Sequence, residues 1–151
     1  PDKSLSLDKL RLGVKYLKEI LDNLNLKSFL KTSGGKGYHI CIPFKNNLTW
    51  KKFYKISEDI ANIIENTHSE LFTTNNRKEK RKNKIFIDYL RNQKSATFVA
   101  PYSIRLRKNA PVSMPIAWNE LDKIKPNEIT IYKAIKRLKK KDPWKDFFTS
   151  N

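Results

Sequence analysis

Three of the four glycines in this 151-residue chain fall within four residues, at Gly34, Gly35 and Gly37. They separate two short apolar runs, "SFLKT" and "YHICIPF". Both runs read as strands, so residues 33–37 read as the tip of a hairpin, where the chain must double back on itself. Glycines at such a tip serve a plain turn equally well. A loop of small residues can also offer backbone N–H groups to an anion. Here Ser33 adds a hydroxyl, Lys36 a positive charge and His39 a ring N–H at the start of the returning strand. A Walker loop is excluded, because Gly37 is followed by Tyr38 and a strand rather than by Lys-Ser/Thr and a helix. A dinucleotide-binding loop also needs a helix next and is excluded on the same ground.

The rest of the chain supplies helices to this hairpin. Leu10, Val14, Leu17, Leu21 and Leu24 recur at steps of four and three, which predicts an amphipathic helix. Ser6 or Asp8 can cap it, and Asn23 and Asn25 close it. Thr49 reads as the N-cap of a second helix carrying Phe53, Ile56, Ile60, Ile63 and Ile64, through about Glu65. Residues 73–84, "TTNNRKEKRKNK", read as a flexible basic loop. "KIFIDYLRN" reads as a buried strand with Asp88 inside it, and "SATFVAPYSIRLR" as a further strand run ended near Pro101. The stretches around Pro111 and Pro115 read as loop, and residues 117–121 as one helical turn. Asn127 is placed to cap a last helix through Ile131, Ile135 and Leu138. Trp144, Phe147 and Phe148 in the tail read as folding back on the body. The expected class is α+β: a mixed, largely antiparallel sheet with flanking helices, in one domain.

Charge bounds the partners. There are 32 Lys and Arg against 15 Asp and Glu, a net +17 at neutral pH. Such an excess suits a polyanion, nucleic acid above all, through release of condensed counterions. A Lys- and Asn-rich composition also raises charge without any such partner. Cys41 is the single cysteine, so no internal disulfide forms, and with only two histidines a zinc site has no basis. No apolar run approaches the roughly 18 residues of a membrane helix. A soluble, intracellular protein without membrane contact is expected.

Two further features carry possible chemistry. A carboxylate buried among Ile85, Phe86, Ile87 and Leu90 is costly unless paired. Asp88 therefore calls for a metal ion or for Arg91, three residues on. Arg105 and Arg107 share one side of an extended segment, and two adjacent guanidiniums favour an anion between them. A solvated charged edge is the ordinary alternative.

The segments "KTSGGKGYHICIP", "IFIDYLRN", "ATFVAPYSIRLR", "PVSMPIAWNEL" and "DPWKDF" resemble, in this order, the polymerase domain of bacterial DNA ligase D. That family is primase-like and belongs to the archaeo-eukaryotic primase superfamily. The resemblance implies a nucleotidyltransferase that adds nucleotides at DNA ends in non-homologous end joining, with Mn2+ or Mg2+ as cofactor. It implies that Ser33, Lys36, His39, Arg91, Arg105 and Arg107 contact the nucleotide, and that Asp88 is a catalytic, metal-binding aspartate. Implied partners are nucleoside triphosphates, DNA ends, the end-binding protein Ku and an ATP-dependent ligase module, in a bacterial cytoplasm at the nucleoid.

In the family an Asp-x-Asp pair, within an Asp-Leu-Asp-Pro motif, binds two metals just before the helix that here carries "YLKEILDNL". Pro1 stands at about that place, so two further aspartates are expected upstream of it. Asp2 and Asp8 are poor substitutes, since neither lies in a buried strand. Residues 1–151 are thus expected to be the C-terminal half of the domain, a partial primase-like fold, inactive alone. Edges exposed by truncation would favour a homodimer. The competing expectation is a non-catalytic, basic nucleic-acid-binding module.

Overall fold

The computed structural model describes residues 4–44 and 47–150; Pro1 and Asp2 lie outside the described residues. The chain is mixed α/β, with three α-helices and five short strands among the described residues. It divides into two compact units, one of Pro1–Ile20 and Lys45–Phe98, the other of Leu21–Phe44 and Val99–Asn151.

The first unit holds most of α1 (Leu7–Asn23), α2 (Trp50–Thr67) and two strands. The Ser6 hydroxyl accepts the Lys9 amide at 3.1 Å, so Ser6 caps α1. Leu10 and Val14 are buried, as their spacing requires. The short strands at Phe72–Thr73 and Ile85–Phe86, here β3 and β4, pair in parallel. Phe72 is completely buried and pairs with Ile85, and Leu71, Ala61 and Ile64 are buried in the same unit. Gly13 permits the close approach of α1: a Cβ there would collide with Ile85 Cδ1 and lie 3.2 Å from the Phe72 ring. Tyr16 stacks on His68 with ring centroids 4.4 Å apart.

Thr49 caps α2, accepting the Lys52 amide at 3.3 Å. Losing that acceptor leaves a helix-terminal N–H to water alone. Thr49→Ala is therefore expected to lower stability by about 1 kcal/mol in a urea titration.

The second unit is built on a three-stranded antiparallel sheet of β1 (Phe29–Thr32), β2 (Tyr38–Cys41) and β5 (Pro115–Ile116), in the order β2-β1-β5. All four β1 residues are buried. The hairpin register pairs Lys31 with His39 and Thr32 with Tyr38. The Pro115 stretch, expected as loop, is instead the edge strand beside Leu30 and Lys31. Proline is tolerated there because an edge strand has one side that need not donate. A 3-10 turn at Trp118–Glu120 matches the expected helical turn, and α3 spans Ile131–Leu138. Its N-cap is Thr130 rather than Asn127, without a side-chain cap bond. Arg137 closes the helix onto Glu120 through two 2.8 Å bonds. The tail folds back as expected at two of its three aromatics. Trp144 Nε1 donates to the Leu30 carbonyl at 2.9 Å, and Phe147 packs edge-on against Phe29, while Phe148 stays exposed.

One expected strand is shortened and another is missing. "IFIDYLRN" is strand only at Ile85 and Phe86, and beyond them the backbone turns. "SATFVAPYSIRLR" is irregular, apart from a single bridge between Ile104 and Val112. Its β-branched and aromatic residues favour extended backbone. Ser95 and Tyr102 nevertheless sit at φ 64° and 65°, which no strand accommodates. The basic stretch 73–84 is more structured than expected. It contains a 3-10 turn at Lys78–Lys80, and Arg81 is tied to the Asn75 carbonyl at 3.0 Å.

Candidate nucleotide-phosphate site

The glycine turn joins β1 to β2, and its own bonds decide what it can offer. Ser33 N–H donates to the Gly37 carbonyl at 3.1 Å, and Gly34 N–H to the Pro126 carbonyl at 3.0 Å. The amides of Gly35 and Gly37 both donate to the Ser33 hydroxyl oxygen, at 3.1 and 3.3 Å. Four of the five amides at residues 33–37 are therefore satisfied within the protein. Of the two uses open to the loop, these bonds favour the plain turn over a backbone amide cradle, with Ser33 shaping the turn from inside. What remains for an anion is the side-chain chemistry around it.

That chemistry comes from residues 99–113, in the same unit. Arg105 lies directly over Gly34: a Cβ on that glycine would be 2.5 Å from Arg105 Cγ and 3.3 Å from the Pro111 carbonyl oxygen. Gly34 also has φ +64°, so two independent reasons require glycine. Arg107 reaches Gly35, whose added Cβ would stand 3.5 Å from the guanidinium carbon. A tight turn, closed by Arg107 N–H to the Arg105 carbonyl at 2.8 Å, sets the two arginines on one turn. Arg105 N–H also donates to the Pro111 carbonyl at 2.8 Å, fixing the near side of the segment. The exposed Lys36 sits at the hairpin tip.

Behind the turn lies a residue without an assigned role in the sequence reading. Lys31 is completely buried, with Nζ 2.7 Å from the Val99 carbonyl oxygen and 2.6 Å from Ser113 Oγ. Burial pushes its amine down to about 8; nearby Arg105 lowers it too, while Cys41 acts in the opposite sense. The signal was a lysine between Leu30 and Thr32, inside an otherwise buried strand. Beside it in register, His39 is pushed down to about 4, by burial first and then by the charges of Lys31 and Arg105. At neutral pH His39 is uncharged and carries one ring N–H that can donate. Cys41 is pushed up to about 11 by burial, so its thiol is protonated and unreactive.

The His39 shift fixes a sign for acid sensitivity. Between about pH 6.5 and 4 the unfolded histidine binds a proton and the folded one does not. Stability is therefore lost as the pH falls through that window. Going from pH 7 to pH 5 is expected to remove about 1–2 kcal/mol, and His39→Asn to remove that dependence, in paired urea titrations.

The first unit carries the other expected site residues. Asp88 is 48% exposed, not buried, because the strand ends two residues earlier. Its carboxylate lies 3.9 Å from Arg91 Nε. Both line an open cavity of about 610 Å3 together with Arg81, Phe86 and Lys94. Arg81 is held with its guanidinium 3.6 Å from the Phe86 ring centroid. Asp88 offers a single carboxylate to a metal ion. No group of three His, Cys, Asp or Glu side chains that could hold one occurs among the described residues.

Comparison with known proteins identifies the family. Residues 1–144 match the family model described as LigD, primase-polymerase domain. The multifunctional non-homologous end joining protein LigD of Pseudomonas aeruginosa is 34% identical over 97% of this chain and 18% of its own length. The bifunctional non-homologous end joining protein LigD of Bacillus subtilis is 33% identical over 87% of this chain and 22% of its own length. The chain thus spans about a fifth of these curated relatives. Among solved structures, the polymerase domain from Mycobacterium tuberculosis ligase D, in complex with DNA, superposes with a TM-score of 0.88 at 25% identity. That match covers 99% of this chain and 52% of the other. The chain belongs to the LigD primase-polymerase domain family.

Proposed function

We propose that this chain is part of a DNA repair polymerase, and that its glycine hairpin holds the triphosphate of an incoming nucleotide. The observation that carries this is the pair Arg105 and Arg107, laid over a turn that only glycine can form. Two guanidiniums beside one another gain most from a polyanion that bridges them. Lys36 adds a mobile positive charge at the tip, and neutral His39 adds a directional donor. Ser33 positions the turn rather than offering it as a bare amide nest.

The reaction is nucleotidyl transfer to a DNA end in non-homologous end joining, alongside Ku and a ligase module at the bacterial nucleoid. Family membership and the net charge of +17 support that setting. Asp88 contributes one carboxylate toward a divalent ion, Mn2+ or Mg2+, with two further aspartates expected outside this sequence. When bound, such an ion neutralises charge on the reacting phosphates. Arg91 Nε lies 3.9 Å from that carboxylate and faces it across the same cavity. The chain corresponds to about half of such a domain, and on this account it binds nucleotide without polymerising alone. The second reading, a non-catalytic nucleic-acid-binding module, is favoured by Asp88 lacking companion carboxylates among the described residues.

The two are separated in the longer polymerase that contains this chain. Asp88→Ala is expected to abolish manganese-dependent nucleotide addition on a gapped DNA template while leaving the melting temperature within a degree or two. Near-normal addition by the variant would remove the catalytic role of Asp88 and favour the binding module.

A further inference from the structure

Lys31 lies at the base of the candidate site, and its bonds link two points far apart in sequence. Its ammonium donates to Val99 O and to Ser113 Oγ, which mark the two ends of the excursion that carries both arginines. The clasp continues into β1: Ser113 Oγ donates to the Thr32 carbonyl at 2.9 Å, and Thr32 Oγ1 accepts the Met114 amide at 2.9 Å. Ser113 itself is completely buried. A lysine is a costly way to tie two segments together if tying is all that is needed. A buried charge replaced by an apolar residue of similar volume is often neutral for stability or better. Retaining an ammonium here makes sense if the charge and its fixed bonds serve the ligand.

We infer that Lys31 is a positioning residue for nucleotide binding, closing the arginine-bearing loop onto β1 so that Arg105 and Arg107 stand over the glycine turn before the phosphates arrive. The inference rests on the triphosphate reading of the hairpin. A loop fixed in advance loses less freedom on binding, which raises affinity without any new contact. Lys31 touches the ligand only through the arginines, so its effect should vanish when they are gone.

The test is a four-way comparison of magnesium-ATP affinity by fluorescence competition, using the chain itself, Lys31→Met, the double variant Arg105→Gln/Arg107→Gln, and all three changes together. Lys31→Met is expected to weaken binding about tenfold while leaving the melting temperature unchanged or raised. In the background lacking both arginines the same change should cost less than twofold, since residues acting as one unit are not additive. The pH profile gives a third readout. Affinity of the unsubstituted chain should fall as pH rises through about 8 and stay flat for Lys31→Met. The groups facing Lys31 are His39 and Cys41 on β2 and Arg105 on the loop. His39 is pushed down to about 4 and Cys41 up to about 11, so neither changes charge in that range. Should Lys31→Met fail to fold, Ser113→Ala removes one end of the clasp and is expected to weaken binding about threefold.

Unchanged affinity in both variants overturns the role of Lys31. So does a tenfold loss that persists without the arginines, or a loss that merely tracks a lower melting temperature. No binding by the unsubstituted chain overturns the triphosphate reading itself, and this inference with it.

Discussion

Replacing Arg105 and Arg107 together with glutamine should weaken binding of a magnesium-loaded nucleoside triphosphate by about 100-fold or more. Each change removes a charge-assisted bond to phosphate, typically about 1.5–3 kcal/mol where the partner is ionised. The two guanidiniums act on one polyanion, so losing both should exceed the loss of either. Stability should hardly change. Arg107 is exposed, and Arg105 meets the turn mainly through its aliphatic stem, which glutamine partly retains. Affinity measured by calorimetry beside a thermal melt separates these outcomes. A nucleoside without phosphates should bind the chain and its variant alike. A variant that binds triphosphate normally would move the site away from the hairpin altogether.

The second large effect concerns folding of the other unit. Phe72 is completely buried at the centre of its core, beneath Gly13 and beside Ile85. Phe72→Ala should cost about 3–5 kcal/mol, the sum of lost transfer energy and an uncollapsed cavity. Phe148→Ala should cost about 0.5 kcal/mol or less, because Phe148 is 94% exposed. By sequence each is a phenylalanine between one apolar residue and a threonine. Urea titrations of the two variants should therefore differ severalfold in destabilisation, and equal losses would mean that the core has been misplaced.

Periodicity made much of this architecture legible. Leu10, Val14 and Leu21 mark α1 because a helix repeats every 3.6 residues and one face must be buried. Thr49 and Ser6 announce their helices through capping chemistry, which is local. The hairpin was readable because glycines between two apolar runs leave few other paths. What stayed hidden depends on long-range partners. Pro115 enters the sheet only because β1 offers it an edge. Asp88 reads as buried from its neighbours, yet the strand that would bury it ends at Phe86. The apolar residues of 96–107 read as strand until Tyr102 takes a positive φ and Leu106 turns fully to solvent.

The candidate site shows the same division. Ser33, Lys36, His39, Arg105 and Arg107 are residue types suited to phosphate, and sequence alone points to them. Only the folded turn reveals that Ser33 consumes two amides that would otherwise face an anion. Lys31 is visible in sequence as a lysine inside an apolar strand, but only tertiary bonds reveal its partners Val99 and Ser113, 68 and 82 residues away. The Ser33 bonds depend on how the turn closes, and the Lys31 bonds on which distant segments cross, and spacing encodes neither.

The central claim is that one hairpin and one arginine turn receive a nucleotide's phosphates. Amide chemical-shift mapping of the isotope-labelled chain during a magnesium-ATP titration tests it most directly. Saturable shifts should concentrate at residues 33–39 and 105–107 and be suppressed by competing inorganic triphosphate. Shifts confined to other residues, or none at millimolar nucleotide, would contradict the account.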